Sequence, residues 1–302
     1  MTAANHRLAK TVARALLRIR QRFFPRTQFA KLPLIGRLIP LLLGRARSPV
    51  VDDVHGHRMF VDEKDSMGLS IDAAFEPLET RFCSAAAKRG GVVVDIGANI
   101  GYYTLLFARQ VGPSGRVFAF EPDADNFRLL SANVSANHYT NVTAVQAAVS
   151  DRDERLDLYR NEANRMDHQT YDAGEGWQHV SVAAIRLDDY FAADSRRVDL
   201  IKMDIQGSEP RALSGMIGLR TRNRDVVFVT EFWPWGLRRA GHDPAVFLAR
   251  LGELGFALSE IDERKKRVVG TTPAALLDAL DEHDKWAATN LVCTRSPLPG
   301  DR

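Results

Sequence analysis

The amino-acid sequence predicts an α/β fold with a doubly wound, mostly parallel sheet. Three consecutive β-branched residues at Val92–Val94 form a short apolar strand, which a glycine turn and a helical stretch follow at once. From there the chain alternates strand-like and helical stretches, as a parallel sheet with crossover helices requires. The 302 residues suffice for one large domain of this class with appendages, and 45% hydrophobic content is ordinary for a globular core.

The cysteines and the charge distribution narrow the class of protein. Cys83 and Cys293 lie far apart and outside any C-x-x-C pair, so neither a disulfide framework nor a zinc cluster is expected. The net charge of +3 hides an asymmetry, because eleven Lys and Arg precede the first acidic residue, Asp52. The rest of the chain carries 30 basic side chains against 38 acidic ones. The excess of positive charge therefore belongs to an N-terminal segment.

Residues 1–50 are expected to form a basic, amphipathic, helical extension. Apolar residues recur in it at three- and four-residue steps: Leu8, Val12, Ala15, Leu16, Ile19 and Phe23. This pattern is typical of a helix on an anionic membrane surface; a helix packed on its own protein, a nucleic-acid contact and an organellar targeting peptide are the alternatives. The apolar run 32–43 is interrupted and too short to span a bilayer. Because no secretory signal is recognisable, we predict a cytoplasmic protein, with residues 1–47 as the candidate contact to the inner face of the membrane.

Residues 51–90 are predicted to link this extension to the domain. A hairpin turns near Gly56, and His55 and His57 are interpreted as part of that turn because the spacing places no third metal ligand. No metal site is therefore predicted. A helix begins near Pro77, a residue that suits the first helical turn.

The first strand leads into Asp95, Gly97 and Gly101, which are spaced as D-x-G-x-x-x-G before a helical stretch. A strand, a glycine turn and a helix N-terminus bring backbone N–H groups up to a ligand. The spacing excludes the dinucleotide fingerprint G-x-G-x-x-G, because Asn99 and Tyr102 stand where its second and third glycines belong. The loop therefore predicts a ligand of another kind.

The next two predicted strands place polar residues at the same edge of the sheet. The second strand ends in Glu121-Pro122, where a carboxylate can bind a ribose diol through two hydrogen bonds. The third strand, 142–149, leads into Ser150 and Asp151 at that edge.

Strand-like runs at 156–159 and 180–184 bracket a polar insert, 161–179. Loops at the carboxyl ends of strands meet substrates, and His168 of the insert is a candidate general base because an imidazole can take a hydroxyl proton near pH 7. The alternative is a surface histidine without such a role. The fourth strand ends in Asp204, which is expected to point into the same cleft and to orient an acceptor hydroxyl or accept its proton.

Beyond Asp204 the sequence predicts supporting residues. Glu209 is expected to support the turn or the N-terminus of the next helix. Trp233 and Trp235 follow the fifth strand, either as core residues or as an apolar wall for an acceptor. The remaining predicted elements are a helix at 247–256 and strands at 257–261 and 288–294.

Four of these motifs occur in order and resemble the FkbM family of S-adenosylmethionine-dependent methyltransferases: Asp95–Gly101, Phe120–Pro122, Ala148–Ser150 and Ile201–Glu209. The resemblance implies a class I, Rossmann-like domain with seven strands, which we place at residues 91–302. In such enzymes the glycines let the backbone approach the methionine part of the cofactor, and the carboxylate at the Asp95 position lies near its amino group. The resemblance thus implies a set of cofactor-binding residues: Asp95, Gly97, Asn99, Gly101, Glu121, Pro122, Ser150 and Asp151. It also implies that Ser150 and Asp151 flank the adenine ring of the cofactor.

One position departs from the family pattern, because Gln206 stands where K-x-D-x-E-G-x-E has its first Glu. The family implies O-methylation of a sugar, a glycolipid or a secondary metabolite. The absence of an Asn/Asp-Pro-Pro-Tyr loop after the fourth strand argues against methylation of a base or amide nitrogen. We therefore predict a small-molecule or glycan acceptor and no specific nucleic acid. The alternatives are a nicotinamide-dependent oxidoreductase, which the failed fingerprint disfavours, and a non-catalytic membrane-surface or RNA-binding protein on the same fold.

Overall fold

The computed structural model describes residues 48–298, which divide into two compact units, 48–75 and 76–298. The predicted N-terminal extension lies outside the described residues. The boundary between the units falls inside the segment 51–90, which the sequence predicts as one linker, so its helix belongs to the larger unit.

The smaller unit contains the predicted hairpin. Strands β1 (Val50–Val54) and β2 (His57–Phe60) pair antiparallel. His55 and Gly56 form the turn between them, with φ angles of 50° and 81°. His55 therefore lies in the turn, as predicted, whereas His57 begins the second strand and is buried.

The larger unit contains one large and one small sheet. Its strands are, in chain order, β3 (Val92–Ile96), β4 (Arg116–Phe120), β5 (Val142–Val145), β6 (Ala148–Ser150), β7 (Glu154–Arg160), β8 (Gln178–Arg186), β9 (Leu200–Met203), β10 (Val227–Phe232), β11 (Ala257–Asp262), β12 (Arg267–Thr271) and β13 (Thr289–Thr294). The large sheet has the order β12-β11-β13-β10-β9-β3-β4-β5, and the small one has the order β6-β8-β7.

The helices of this unit begin at prolines or at capping side chains in several cases. Asp123 and Asp243 cap two of them by accepting hydrogen bonds from backbone N–H groups of the first turn. The helices are α1 (Pro77–Ala86), α2 (Tyr102–Val111), α3 (Ala124–Ala136), α4 (Leu187–Tyr190), α5 (Glu209–Ser214), α6 (Ile217–Arg222), α7 (Pro234–Arg239), α8 (Pro244–Glu253) and α9 (Pro273–Ala279).

The large sheet is doubly wound and mostly parallel, as predicted. Strands β5, β4, β3, β9 and β10 pair in parallel, while β13 pairs antiparallel with both β10 and β11. The sheet has eight strands instead of the expected seven, because β12 extends it beyond β11 at the edge. The chain winds outward from β3 through β4 and β5, and then from β9 in the other direction. The switch point of the sheet therefore lies between β3 and β9.

The predicted third strand, 142–149, is two strands in the structure. β5 ends at Val145, and the Ala147 N–H donates to the Val145 carbonyl at 3.1 Å, which turns the chain. β6 then pairs with β8 in the small sheet. The continuous apolar pattern thus hides a change of sheet at Gln146.

The core of the larger unit lies between the sheet and its helices. The β-branched residues of β3 are almost fully buried, because helices cover both faces of a parallel sheet. Within residues 48–298, no helix has the length and apolar character needed to cross a membrane.

Candidate active site

Two loops meet at the carboxyl edge of the sheet, at the switch point. The loop 97–101 joins β3 to α2, and the loop 204–208 joins β9 to α5. The Asp204 N–H donates to the Ile96 carbonyl at 3.0 Å, so the second loop starts in register with the first. Such an edge is where ligands bind in open α/β sheets.

Gly97 allows the two loops to touch. Its φ is +80°, and a Cβ at this position would lie 2.0 Å from the carbonyl oxygen of Asp204. At Gly101, with φ of +93°, a Cβ would lie 2.7 Å from a methyl carbon of Leu130. At both positions a side chain would collide with the protein itself, and a close approach of these glycines to a cofactor stays a prediction.

Asp95 lies below the first loop, and its side chain is directed into the core. It is 1% exposed and accepts a hydrogen bond from Thr104 Oγ1 at 2.6 Å. Burial raises the pKa of Asp95 to about 6, against the opposing effects of Lys202 and Thr104. One carboxylate oxygen therefore ties β3 to α2.

Glu121 follows β4 and is held by backbone N–H groups from two sides. Its Oε2 accepts from the Asn99 N–H and its Oε1 from the Asp123 N–H, both at 2.9 Å. Burial raises the pKa of Glu121 to about 8. Asn99 has a φ of 49°, which its short polar side chain tolerates, and Pro122 is half-buried. Glu121 and Asp95 thus belong to neighbouring strands and the same edge of the sheet.

The insert 161–179 lies against this acidic end of the site. The Arg165 carbonyl accepts hydrogen bonds from Asn99 Nδ2 at 3.2 Å and from Asn126 Nδ2 at 3.1 Å. The Arg165 guanidinium lies 3.3 Å from Asp125 Oδ2. The insert is therefore fastened to both the first loop and α3.

His168 occupies a buried position within the insert, and not the surface position that we gave as its alternative. Its Nδ1 accepts a hydrogen bond from the Asn161 N–H at 3.0 Å, and its Nε2 lies 4.0 Å from Asp123 Oδ2. Burial lowers the pKa of His168, against the attraction of Asp123. The nitrogen that would have to take a proton already accepts a hydrogen bond, and these contacts place His168 beside Asp123 and not beside Asp204.

Ser150 and Asp151 lie where β6 meets α5. The Ser150 hydroxyl donates to Asp151 Oδ1 at 3.0 Å, and Arg211 donates to the same carboxylate oxygen at 2.7 Å. A Cβ on Gly215 would lie 2.0 Å from the Ser150 carbonyl oxygen, so helix and strand are in close contact. Their polar atoms therefore join α5 to the small sheet, and an adenine contact stays a prediction.

Lys202, in β9, lies at the centre of a buried acidic cluster. Its Nζ is 3.4 Å from Asp204 Oδ2, 3.5 Å from Glu79 Oε1 and 4.3 Å from the centre of the Tyr103 ring. Burial alone would lower the pKa of Lys202, but Asp204, Glu79 and the other nearby carboxylates hold it well above its usual value.

Two acids of this cluster come from the start of α1. Glu79 is fully buried, and burial raises its pKa to about 7. Glu76 caps the helix with a φ of 40°, and burial together with the neighbouring Glu79 raises its pKa to about 8. Asn290 Nδ2 donates to both carboxylates. The sequence does not single out these acids as site residues, because only the packing of α1 against α2 brings them to Lys202.

Gln206 joins two further carboxylates. Its Nε2 donates to Asp204 Oδ1 at 2.9 Å and to Glu231 Oε2 at 3.2 Å. Burial, together with Asp204 and Glu209, raises the pKa of Glu231 well above its usual value. Glu231 lies inside β10, one residue before its end.

A family model for the FkbM methyltransferase domain matches residues 95–258, more than half of the chain. The chain belongs to the FkbM methyltransferase family. It is therefore an S-adenosylmethionine-dependent methyltransferase, and S-adenosylmethionine is its cofactor.

Several solved structures are similar to this FkbM methyltransferase, all at low identity. The methyltransferase FkbM from Methylobacillus flagellatus is 15% identical with a TM-score of 0.42, over 88% of this chain and 61% of that one. A SAM-dependent methyltransferase from Aquifex aeolicus is 15% identical with a TM-score of 0.38, over 72% and 89%. A putative methyltransferase from Streptococcus mutans in complex with SAH is 8% identical with a TM-score of 0.43, over 72% and 95%. No curated protein matched the chain.

The residues around Glu121 in the FkbM domain fit the ribose of the cofactor. Asn126 is 2% exposed, and its Oδ1 has no hydrogen-bond partner among the residues that the structure describes. A buried acceptor without a partner is costly, and a ribose hydroxyl is a donor that would satisfy it. Glu121 and Asn126 would then hold the ribose, and Asp95 with the loop 97–101 would lie at the methionine part.

Glu209 supports the second loop of the FkbM domain, as predicted. Its two carboxylate oxygens accept hydrogen bonds from the Ile205 N–H at 3.1 Å and the Gly207 N–H at 2.9 Å. Burial raises the pKa of Glu209 to about 7. The side chain therefore closes the loop that carries Asp204.

The far end of the insert reaches the loop 204–208 of the FkbM domain. The Thr170 and Ser208 hydroxyls lie 2.5 Å apart, and a Cβ on Gly207 would lie 3.2 Å from a Tyr171 ring carbon. The Tyr171 hydroxyl is buried, and no partner for it occurs in the part of the chain that the structure describes. The sequence marks the insert but not this tyrosine.

The two tryptophans after β10 differ in role. Trp233 is 9% exposed, and its Nε1 donates to the Lys285 carbonyl at 3.0 Å, so it is a core residue. Trp235 is half-buried, with the Arg239 guanidinium 5.1 Å from its ring centre. Trp233 is therefore a core residue, one of the two predicted roles.

Proposed function

We propose that this FkbM domain methylates a hydroxyl group of a small-molecule or glycan acceptor, such as a sugar, a glycolipid or a secondary metabolite. The position of Asp204 carries the proposal. This half-buried carboxylate stands at the carboxyl end of β9, and its backbone touches Gly97 of the first loop. A carboxylate at that point can accept a hydrogen bond from an acceptor hydroxyl and then take its proton.

S-adenosylmethionine supplies an electrophilic methyl group when it is bound. The protein then has to place the acceptor oxygen in line with the methyl carbon and remove the proton that the oxygen loses. Lys202 and Gln206 fix the Asp204 carboxylate from two sides, at 3.4 and 2.9 Å. We assign the proton to Asp204 rather than to His168, because His168 Nδ1 is already occupied by the Asn161 N–H.

Tyr171 supports a polar acceptor on the same side. A buried hydroxyl without a partner favours a ligand that offers a hydrogen-bonding group of its own. Sugars and other polyols offer several hydroxyls at once, so one could meet Tyr171 while another faces Asp204. We expect Tyr171→Phe to weaken acceptor binding while cofactor binding stays unchanged.

The test is transfer of labelled methyl groups from S-adenosylmethionine into a cell extract, followed by chemical identification of the product. We expect a methyl ether on a neutral, hydroxyl-rich molecule. Asp204→Asn should abolish the label, whereas Asp157→Asn, at an exposed position of the small sheet, should leave it unchanged. A methylated nitrogen in the product would refute O-methylation.

The cofactor site is tested without an acceptor. Titration calorimetry with S-adenosylmethionine should give saturable binding that Glu121→Ala weakens. Unchanged affinity in Glu121→Ala would refute the role of Glu121 at the ribose.

A further inference from the structure

One amide group joins two carboxylates, Asp204 and Glu231, that come from different elements. Both hydrogen bonds of the Gln206 amide leave from the same nitrogen, Nε2, to Asp204 at 2.9 Å and to Glu231 at 3.2 Å. An NH₂ group has two hydrogens, so these two bonds use its full donor capacity. The two carboxylates are therefore fixed relative to each other through Gln206.

The backbone holds Gln206 in an unfavourable conformation for this purpose. Its φ is 55°, and the next residue, Gly207, has a φ of 99°. A Cβ at Gly207 would lie 2.7 Å from the Gly236 carbonyl oxygen, so α7 fixes the loop from the other side. A non-glycine residue in the left-handed region costs free energy and persists only where its surroundings impose it. The surroundings here are the two carboxylates and the Glu209 bonds that close the loop.

Two acidic groups held close together are stabilised by a hydrogen-bond donor or a cation between them. Lys202 lies 3.4 Å from Asp204 Oδ2 and 3.5 Å from Glu79 Oε1, so it contacts the Asp204 oxygen that Gln206 does not. No Lys or Arg within the described residues forms an ion pair with Glu231, and the Gln206 amide is the donor that joins it to Asp204. Divalent cations also bind between carboxylate oxygens in proteins.

We propose that Gln206 is a positioning residue, whose amide takes the place of a divalent cation between Asp204 and Glu231. The inference rests on the proposed function, in which Asp204 faces the acceptor hydroxyl. The amide holds the Asp204 carboxylate in position. A bound metal ion would make that carboxylate a much weaker base than a neutral amide does, so Asp204 keeps its ability to accept a proton. Gln206 itself gains and loses no proton.

The first test needs no acceptor and uses Mn²⁺ as the probe. Gln206→Glu places a third carboxylate between two others, and carboxylate oxygens bind Mn²⁺. We expect calorimetry on the full chain to show Mn²⁺ binding at least about tenfold tighter than in the wild type, and Glu231→Gln in the same variant should remove the gain. Gln178→Glu, the same change on the exposed end of β8, is the control and should change nothing. Equal Mn²⁺ affinity in wild type and Gln206→Glu would overturn the proposal.

The second test measures how the rate of methyl transfer depends on pH, which reports the ionisation of the proton-accepting carboxylate. The substrate is the fraction of the cell extract that becomes labelled. Gln206→Met keeps the length of the side chain but removes both donors, so the ionised carboxylates become less stable and the rising limb of kcat should move to higher pH. Gln206→Lys replaces the amide by a cation, so the limb should move to lower pH. A residue that only supports the fold would move both limbs the same way or neither, and that result would overturn the proposal.

The two tests separate this inference from the proposed function. Cofactor affinity should be unchanged in all three variants at position 206, which also shows that they fold. If the wild type binds S-adenosylmethionine but methylates no hydroxyl, the proposed function is wrong. The Mn²⁺ titration still tests whether Gln206 occupies a cation position between Asp204 and Glu231.

Discussion

At the scale of single residues, Gly97 has a steric role that can be measured. Gly97→Ala would place a methyl group 2.0 Å from the Asp204 carbonyl at a φ of +80°, so we expect it to lower the free energy of unfolding by more than about 3 kcal/mol. Gly176 has a φ of +68°, and no atom lies within 4 Å of the position that a Cβ would take there, so Gly176→Ala should cost only about 1 kcal/mol. Urea denaturation measures both. Equal losses would mean that strain in φ, and not the contact between loops, requires the glycine.

Glu121 makes stability depend on pH. Its pKa is raised to about 8 by burial from an ordinary value of 4.5, so between these pH values the folded chain keeps a proton that the unfolded chain has lost. Stability from this group is therefore complete below about pH 4.5 and is lost as pH rises through 8. Glu121→Gln has no carboxyl group at this position that could ionise. As the pH rises from about 5 to 8.5, we therefore expect the thermal midpoint of this variant to fall less than that of the wild type.

Asp125 provides the control of opposite sign. The hydrogen bond from Arg160 lowers the pKa of Asp125, so its contribution is present at neutral pH and is lost in acid. The thermal midpoint of Asp125→Asn should fall as steeply over the same pH range as that of the wild type. If the midpoint of Glu121→Gln also falls as steeply as that of the wild type, Glu121 is ionised in the folded chain.

Single residues also show what the sequence can and cannot predict about the site. Asp95, Glu121 and Asp204 could be placed at one edge of the sheet, because each lies at the carboxyl end of a strand whose direction the topology fixes. Glu76 and Gln206 could not be placed at the cluster, because side-chain contacts across the loops depend on how α1 and β10 pack. For the glycines, the sequence predicts a need for a small residue but not which atom lies opposite.

At the scale of elements, Arg211 joins α5 to the small sheet. It donates to Asp151 Oδ1 at 2.7 Å and to Glu154, and its side chain is 28% exposed. We expect Arg211→Met to lower the free energy of unfolding by about 1–2 kcal/mol, less at high salt, while cofactor affinity stays unchanged.

The free energy of unfolding and the S-adenosylmethionine affinity of Asp151→Ala together test the predicted contact between Asp151 and the adenine ring. Loss of stability alone would assign Asp151 to the junction with Arg211. A drop of roughly tenfold in S-adenosylmethionine affinity, or about 1.4 kcal/mol, would support the cofactor contact predicted from the sequence.

The elements that the sequence mispredicts have weak or misleading patterns. The apolar run at 142–149 has no glycine or proline to mark the change of sheet at Gln146. β12 follows a charged stretch, residues 263–266, and lies at the edge of the sheet, where few apolar residues are needed. β3, which has a strong apolar pattern, begins at Val92 as predicted, but it continues through Asp95 to Ile96, where every residue is buried.

At the scale of the whole molecule, the eleven basic residues before Asp52 lie outside the described residues, and their role is a prediction from the sequence alone. We expect the full chain to sediment with vesicles that contain anionic lipid and to be released by salt, because each Lys or Arg near such a surface contributes about 1 kcal/mol. A chain that lacks residues 1–47 should stay in the supernatant. Equal sedimentation of both forms would exclude the membrane contact.

The doubly wound architecture could be predicted because it follows from the alternation of strands and helices and from the handedness of crossover connections. The eighth strand and the separate small sheet could not. β12 pairs with the neighbouring β11 at the edge of the large sheet, and β6 pairs with β8 although its apolar pattern continues that of β5. The family match over residues 95–258 includes the small sheet as well as most of the parallel strands.

The insert is attached at two places, through the Arg165 carbonyl near Glu121 and through Thr170 near the Asp204 loop. A segment attached at both ends has to break one of these contacts before it can move away from the site. We therefore expect the demethylated cofactor and the methylated acceptor to be released together when the insert opens. This opening would limit turnover, so the first cycle should show a burst of product.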